Sequence, residues 1–344
     1  MRILIFGDTH WSTYSSILRT RGSKFSTRLE NLIKSVNWVE EVSKDRYCDE
    51  VICLGDFFDR SDLTAEEISA LKEINWNKDV IHHFIVGNHE SGVSSLIYNS
   101  TDALNKPNFI VEFKANKYDK DEFADLYFIP YTIEDERKEL KDYLTDFNPN
   151  KKHIIFSHND LKGIQYGMVE SKEGFTIPEI EETCDLFING HLHNGKWVTS
   201  KILNLGNLTG QNFGEDAFNH AHSICILDTE TLQMEFIENP FAFNFYKIEV
   251  HSEEDLKIFD NLKTNSVISI KCLENYVDKV KEILNTNSNI IESKTIIQRE
   301  ITDAETGETV ELGSSDYLQQ FYDFTVERLG KNEVVLHELS EVCK

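Results

Sequence analysis

Short apolar runs that end abruptly on polar residues punctuate the first two thirds of the chain, and their spacing sets the elements. Residues 2–6 read as a strand, 26–44 as a helix, and 50–54 as a second strand buried on both faces. Thr64-Ala65-Glu66-Glu67 has the Thr-x-x-Glu form of a capping box and opens another helix. A third strand spans 80–86, and apolar runs at 126–129, 153–156 and 186–188 precede further polar clusters. Such alternation predicts an α/β fold with a largely parallel sheet, helices outside it, and ligands beyond the carboxyl ends of the strands. From residue 202 the pattern turns to strands alone, at 202–205, 223–227 and 233–237. Two sheets packed face to face, with outer helices, accommodate both halves.

Around Asn239-Pro240 the polar clusters stop and a new unit begins. Strands at 245–250, 267–271 and 290–298 alternate with helices at 253–262 and 276–284, a small α+β module. Residues 301–313, rich in Thr, Glu, Asp and Gly, read as a linker or exposed loop. Beyond it, 315–329 is an amphipathic helix: Tyr317, Leu318, Phe321, Phe324, Thr325 and Leu329 share one face, and Asp316, Gln319, Gln320, Asp323 and Glu327 the other. That stripe must be buried, either on its own domain or on a partner. The expected organisation is a main domain over 1–238, a capping module over 239–300, and a linker with a C-terminal helix over 301–344.

Composition narrows the function classes. At 344 residues, 40% of them apolar and with 22 Phe against 5 Pro, the chain has material for more than one core. The opening apolar stretch is too short for a signal peptide, and no run approaches a membrane span, so a soluble cytoplasmic protein is expected. Six cysteines, Cys48, Cys53, Cys184, Cys225, Cys272 and Cys343, form no Cys-x-x-Cys pair, which argues for reduced, packed thiols. A formal charge of −25 repels a phosphate backbone over most of the surface, so any nucleic-acid contact has to be local. The basic segment 12–37 carries Arg19, Arg21, Lys24, Arg28 and Lys34 against Glu30 and is either a solvated face or a substrate contact.

Chemistry concentrates where the apolar runs end. Five clusters follow them: Asp8-Thr9-His10, Gly55-Asp56-Phe57-Phe58-Asp59-Arg60, Gly87-Asn88-His89-Glu90, Ser157-His158-Asn159 and Gly190-His191-Leu192-His193. Each alone is unremarkable, and the ordered set points to one centre for two divalent ions sharing a carboxylate. Asp56 is the candidate bridge. Asp8, His10 and His193 are assigned to the first ion, and Asn88, His158 and His191 to the second. Oxygen and imidazole donors without thiolate suit manganese, with magnesium as the alternative. Such a pair would polarise phosphoryl oxygens and activate water for in-line attack at phosphorus. His89, beside a ligand but aimed elsewhere, is the candidate general acid. Asp59 and Arg60 are expected to support the loop, and Asn159 and Asp160 to stand behind the ligands.

The ordered set Asp8-x-His10, Gly55-Asp56-x-x-Asp59, Gly87-Asn88-His89-Glu90, His158 and Gly190-His191-x-His193 resembles the calcineurin-like metallophosphoesterase superfamily over residues 1 to about 238. That resemblance implies a four-layer α/β/β/α sandwich and places His89 at the family's catalytic histidine. With the small following domain and the C-terminal helix, the chain is similar to SbcD-type repair nuclease subunits, especially the phage recombination-endonuclease branch. The narrower likeness implies a manganese-dependent DNA exonuclease and endonuclease, a homodimer joined to an SbcC-type coiled-coil ATPase through the C-terminal helix, working in the host cytoplasm if phage-encoded. Trp11, Glu90 and Asn207, the last in the loop Leu205-Gly206-Asn207-Leu208-Thr209, depart from the usual residues of that branch. The competing enzymes are a protein serine/threonine phosphatase, against which Ser61 stands where glycine is usual, and a stand-alone phosphodiesterase. A scaffold without metal is the non-enzymatic alternative.

Overall fold

The computed structural model describes residues 1–14, 24–93, 95–166, 169–215, 217–302 and 309–312. The expected helix over 315–329, and with it Cys343, Arg19 and Arg21, lies outside them. In chain order the main elements are β1 (Arg2–Phe6), α1 (Thr27–Asp45), β2 (Glu50–Cys53), α2 (Ala65–Ala70), β3 (Ile81–Ile85), β4 (Phe109–Glu112), β5 (Asn116–Tyr118), β6 (Ala124–Ile129) and β7 (Lys152–Ser157). They continue with α3 (Ile177–Thr183), β8 (Leu186–Asn189), β9 (Lys196–Trp197), β10 (Ile202–Asn204), β11 (Ser223–Asp228) and β12 (Met234–Glu238). The chain divides into two compact units, the second beginning at Tyr246.

Within the described residues, the first unit holds two six-stranded sheets, in the orders β12-β11-β1-β2-β3-β4 and β9-β10-β8-β7-β6-β5. Strands β1 to β4 pair in parallel, as do β6 with β7, β7 with β8, and β8 with β10. Their carboxyl ends therefore gather on one side of each sheet.

Alternation along the strands sorts side chains between three cores. Ile3 and Ile5 of β1 join Ile52, Leu54 and Ile85 against Leu126, Phe128, Ile154, Phe156 and Ile188, filling the space between the sheets. Leu4 and Phe6 face the other way and pack with Val51, Cys53 and Phe84 under Leu29, Leu32, Val36 and Val39 of α1. That i, i+3, i+7, i+10 stripe is what the 26–44 pattern predicts. Ser26 caps this helix, its hydroxyl accepting from Leu29 N, and Thr64 and Glu67 close the expected capping box on α2. On the outer face of the second sheet Ile180 of α3 packs with Tyr127, Ile155, Phe187 and Ile202. Helix, sheet, sheet, helix is the four-layer α/β/β/α order.

The second unit contains a four-stranded sheet of β13 (Asn244–Val250), β14 (Ser266–Leu273), β15 (Ile290–Thr302) and β16 (Thr309–Leu312), with α4 (Val277–Thr286) between β14 and β15. Two details differ from expectation. Residues 253–262 hold a 3₁₀ helix, Asp255–Asn261, not an α-helix: the Asp255 carboxylate takes the His251 and Ser252 amides, and its start lacks a side-chain cap. Part of the stretch read as a linker is strand, since Thr309–Leu312 pairs antiparallel with residues 299–302. No helix among the described residues is long and apolar enough to cross a membrane.

Candidate metal centre

The ligand loops leave the carboxyl ends of five parallel strands. Asp8 and His10 follow β1, Asp56 follows β2, and Asn88 and His89 follow β3; His158 follows β7, and His191 and His193 follow β8. The first two loops are zipped together by backbone bonds from Asp8 N to Gly55 O (3.2 Å), His10 N to Asp56 O (2.8 Å) and Trp11 N to Phe57 O (2.7 Å). Four of these residues sit in the left-handed region that side chains rarely adopt: Asp8 (φ 38°), His10 (φ 47°), Asp56 (φ 47°) and His191 (φ 75°). Strain at that many positions of one cluster marks a site whose geometry is imposed by its surroundings. The glycines make room for it. A Cβ on Gly87 would lie 2.1 Å from Asp56 Oδ1, and one on Gly55, itself at φ +106°, 2.4 Å from His158 Nδ1.

The structure brings all seven predicted ligands together in two adjoining sets. Donor atoms of Asp8, His10 and His193 lie within 4.8 Å of one another, as do those of Asp56, His158 and His191. Asn88 joins the second set, its Oδ1 3.1 Å from His158 Nε2 and 3.0 Å from His191 Nδ1. Asp56 faces both: Oδ2 is 3.1 Å from His158 Nε2 and 3.9 Å from His10 Nε2, while Oδ1 accepts the His89 amide at 3.0 Å. A single oxygen, not two, thus stands between the sets.

These groups fit divalent ions. Nε2 of His10 faces Nε2 of His193 at 3.0 Å, and His158 Nε2 faces His191 Nδ1 at 3.3 Å. Neighbouring ligands about 2.1 Å from one octahedral ion are separated by about 3.0 Å, so the spacings match a shared cation. Asp8 Oδ2 is buried without a hydrogen-bond partner, and a cation would satisfy it. The first-row preference of imidazole completes the fit.

Around the donors stands a shell of carboxylates that orients the imidazoles. Asp59 Oδ1 lies 3.2 Å from His10 Nδ1, Asp160 Oδ1 is 3.4 Å from His191 Nε2, and Glu215 Oε1 is 3.1 Å from His193 Nδ1. Burial pulls His10 below the usual histidine range; it also lowers His193, but there the Glu215 hydrogen bond and charge, with the charges of Asp8 and Asp56, together outweigh it and leave that ring raised. For His158 burial is again opposed, here by the Asp56 charge and hydrogen bond, which push it up to about 9. Asp56 is correspondingly held well below the carboxylate range by His158, against the effect of burial. An ion held by this set would take the place of that proton at His158 Nε2, since imidazole binds metal in its neutral form.

Other residues take supporting places. Arg60 donates to both Glu67 oxygens at 2.8 Å and to Asp62 O, fixing the loop after Asp59. Glu90 ties two ligand loops by accepting from Phe58 N and Gly87 N, and burial followed by the Asp56 charge pushes it up to about 8. Arg28 of the basic segment is buried, donating to Thr9 O and Gly210 O, and Lys24 pairs with Glu73, so neither is a free phosphate contact. Asn159 serves the backbone, accepting from Thr132 N and donating to Pro130 O. Glu215 escapes sequence reading: it is one acid in a polar loop, flanked by no motif, and its neighbour Asn207 donates to it at 2.9 Å.

His89 is exposed at the mouth of the cluster, its ring 4.9 Å from that of His10. Its Nδ1 lies 2.9 Å from Asp59 O, and because a carbonyl only accepts, Nδ1 carries the proton and Nε2 is left for substrate.

A search of curated proteins gives no match. Among solved structures the chain is similar to TT1561 of Thermus thermophilus, with 10% identity, 69% of this chain and 98% of that one covered, and a TM-score of 0.39. It is also similar to a dimetal phosphatase from Danio rerio (13% identity, 69% and 98% covered, TM-score 0.39), and to YfcE, a phosphoesterase from E. coli (14%, 70% and 100%, TM-score 0.32). The family model described as calcineurin-like phosphoesterase matches residues 1–195, more than half the chain and every one of the five ligand loops, so this chain belongs to the calcineurin-like phosphoesterase family.

Proposed function

We propose that this phosphoesterase is a nuclease subunit that cleaves DNA phosphodiesters, with manganese at the twin set of donors. The observation that carries the hydrolytic part is the Asp56 oxygen standing between two imidazole-rich sets, with the exposed His89 beside them. When bound, divalent ions polarise phosphoryl oxygens and lower the pKa of coordinated water. The protein's own contribution is orientation and a proton. Asp59, Asp160 and Glu215 hold the imidazoles, and His89 acts as an imidazolium: Nδ1–H stays on Asp59 O while Nε2 gives its proton to the leaving oxygen as the new P–O bond forms and the old one breaks, leaving the neutral Nδ1–H ring.

The DNA part rests on the resemblance of the motif set and of the following α+β unit to SbcD-type subunits. On this reading the chain works as a homodimer with an SbcC-type coiled-coil ATPase, docked through residues 315–329. The test is hydrolysis of linear DNA by the purified full chain with manganese, alone and with the ATPase. Degradation that is weak alone and stronger with the partner is expected. Turnover of phosphomonoesters with DNA left intact would instead favour the phosphatase. Removing residues 314–344 should abolish co-purification with the ATPase, and retention of the complex would exclude that helix as the contact.

A further inference from the structure

A cavity of about 510 Å³ adjoins the metal centre, lined by His191, His193, Gln165, Asn212 and Lys196 among others. A second, of about 240 Å³, is lined by Lys196, Trp197, Asn219, His220 and Phe236 among others. Lys196 lines both, so the two adjoin at β9, one reaching the ligand His193 and the other the edge strand β12, and together they are termed the groove.

Three properties of this groove are unusual for this chain. Among the described residues Lys196 is its one cationic side chain and has no carboxylate partner, in a protein of net charge −25. Its one lining carboxylate, Glu215, is buried and turned inward to His193, Asn207 and Gln211. Trp197 and Phe236 present aromatic surface to solvent at the far end, 47% and 44% exposed. Among the described residues the lining thus combines no exposed acid with one cation, shared by both cavities, and two exposed flat rings. Cavities of these volumes admit a drug-sized unit such as one or two nucleotides, not a duplex.

We propose that this groove holds a single-stranded nucleic-acid segment leading away from the scissile bond, with Lys196 on a backbone phosphate and Trp197 and Phe236 as stacking platforms for bases. Stacking is sequence-tolerant because every base has a π-face, and a lysine contact follows the backbone without reading sequence. The groove therefore implies a substrate frayed or resected beside the cleaved bond. This assignment rests on the nuclease reading above.

The test compares the full-length protein with Lys196→Ala, Trp197→Ala and, as a control, Tyr47→Ala, whose exposed ring lies off the groove. The ratio of kcat/KM for a single-stranded oligonucleotide to that for a small chromogenic diester is measured with manganese, together with oligonucleotide binding by fluorescence anisotropy across a salt series. Trp197→Ala is expected to lower the ratio roughly 5- to 150-fold, as loss of one stacked base does. Lys196→Ala is expected to reduce the slope of log K against log salt by about 0.7, the value for one single-strand phosphate contact. Tyr47→Ala should change neither. Unaltered ratio and slope in both groove variants, or losses confined to blunt duplex, would overturn the groove while leaving the nuclease standing. Wild-type turnover of the small diester with no oligonucleotide bound or cut would overturn both.

Discussion

Replacing Glu215 by glutamine separates ion positioning from fold stability. Glu215 Oε1 accepts from His193 Nδ1 at 3.1 Å and from Asn207 Nδ2 at 2.9 Å, and both oxygens accept from Gln211 N at 3.0 Å. Glutamine has the same shape and can place its carbonyl at the Oε1 position, so His193 and Asn207 keep an acceptor while Gln211 N loses one of two. What disappears is the negative charge that raises the His193 pKa against burial. A partner of this kind, standing behind a ligand, is worth about 10- to 100-fold in metal affinity, or about 1.4–2.8 kcal/mol. The loss should fall on the ion held by Asp8, His10 and His193, and spare the one held by Asn88, His158 and His191. Calorimetric titration of the chelator-treated protein with manganese, fitted to two sites, measures it, with the ion-free melting temperature as the control for folding. Two affinities equal to wild type, or equal weakening at both sites with a lowered ion-free melting temperature, would refute the assignment.

Three further outcomes are expected. His89→Gln should bind manganese as wild type does and lose about 10²–10⁴-fold in kcat on a small diester, since the proton to the leaving oxygen goes missing; undiminished turnover would remove His89 from its role. Gly87→Ala should weaken manganese binding in calorimetry, because the added Cβ meets Asp56 Oδ1 at 2.1 Å and must push aside the carboxylate between the two sets; wild-type affinity would show that the loop yields freely. In the manganese-saturated protein, stability should fall as pH rises from 6.5: burial of His83 is outweighed by Glu112 and Glu50 at 2.9 and 3.1 Å, which raise its pKa. The native state therefore holds that proton more tightly than the unfolded chain, giving a contribution complete below pH 6.5 and lost as pH passes the raised value. Melting temperatures over about pH 6–9 should decline less steeply in His83→Gln than in wild type, and parallel slopes would remove His83 from this effect.

How far the sequence can be read depends on the kind of signal each residue carries. The strands β1, β2, β7 and β8 are legible because burial on both faces makes a continuous apolar run, and the loop that follows each one inherits its polar residues in order. Asp8, Asp56 and His158 are found that way. Two-residue edge strands such as β9, Lys196–Trp197, have no periodicity to detect. The 3₁₀ segment Asp255–Asn261 passes for an α-helix because both share an apolar face over one or two turns. Thr309–Leu312 is hidden by a Thr- and Glu-rich composition, although its strand pairing needs only backbone. Glu215 and Arg28 cannot be placed from sequence at all, since a buried acid or base is recognised by the partners that tertiary packing supplies.

Asp8, His10, Asp56 and Asn88 belong to one sheet, and His158, His191 and His193 to the other. Cations held by both would rivet the layers together at one rim, much as a pin fixes two blades. Sliding of either layer, limited by the interior where Ile5 and Ile52 of one sheet share a core with Phe128 and Phe156 of the other, would pull apart the donors within each set, since both sets draw on both layers. Substitutions deep in that interior, remote from every reacting atom, are therefore expected to tune catalysis through the donor geometry of each set, and chelation should loosen the sandwich from that rim inward.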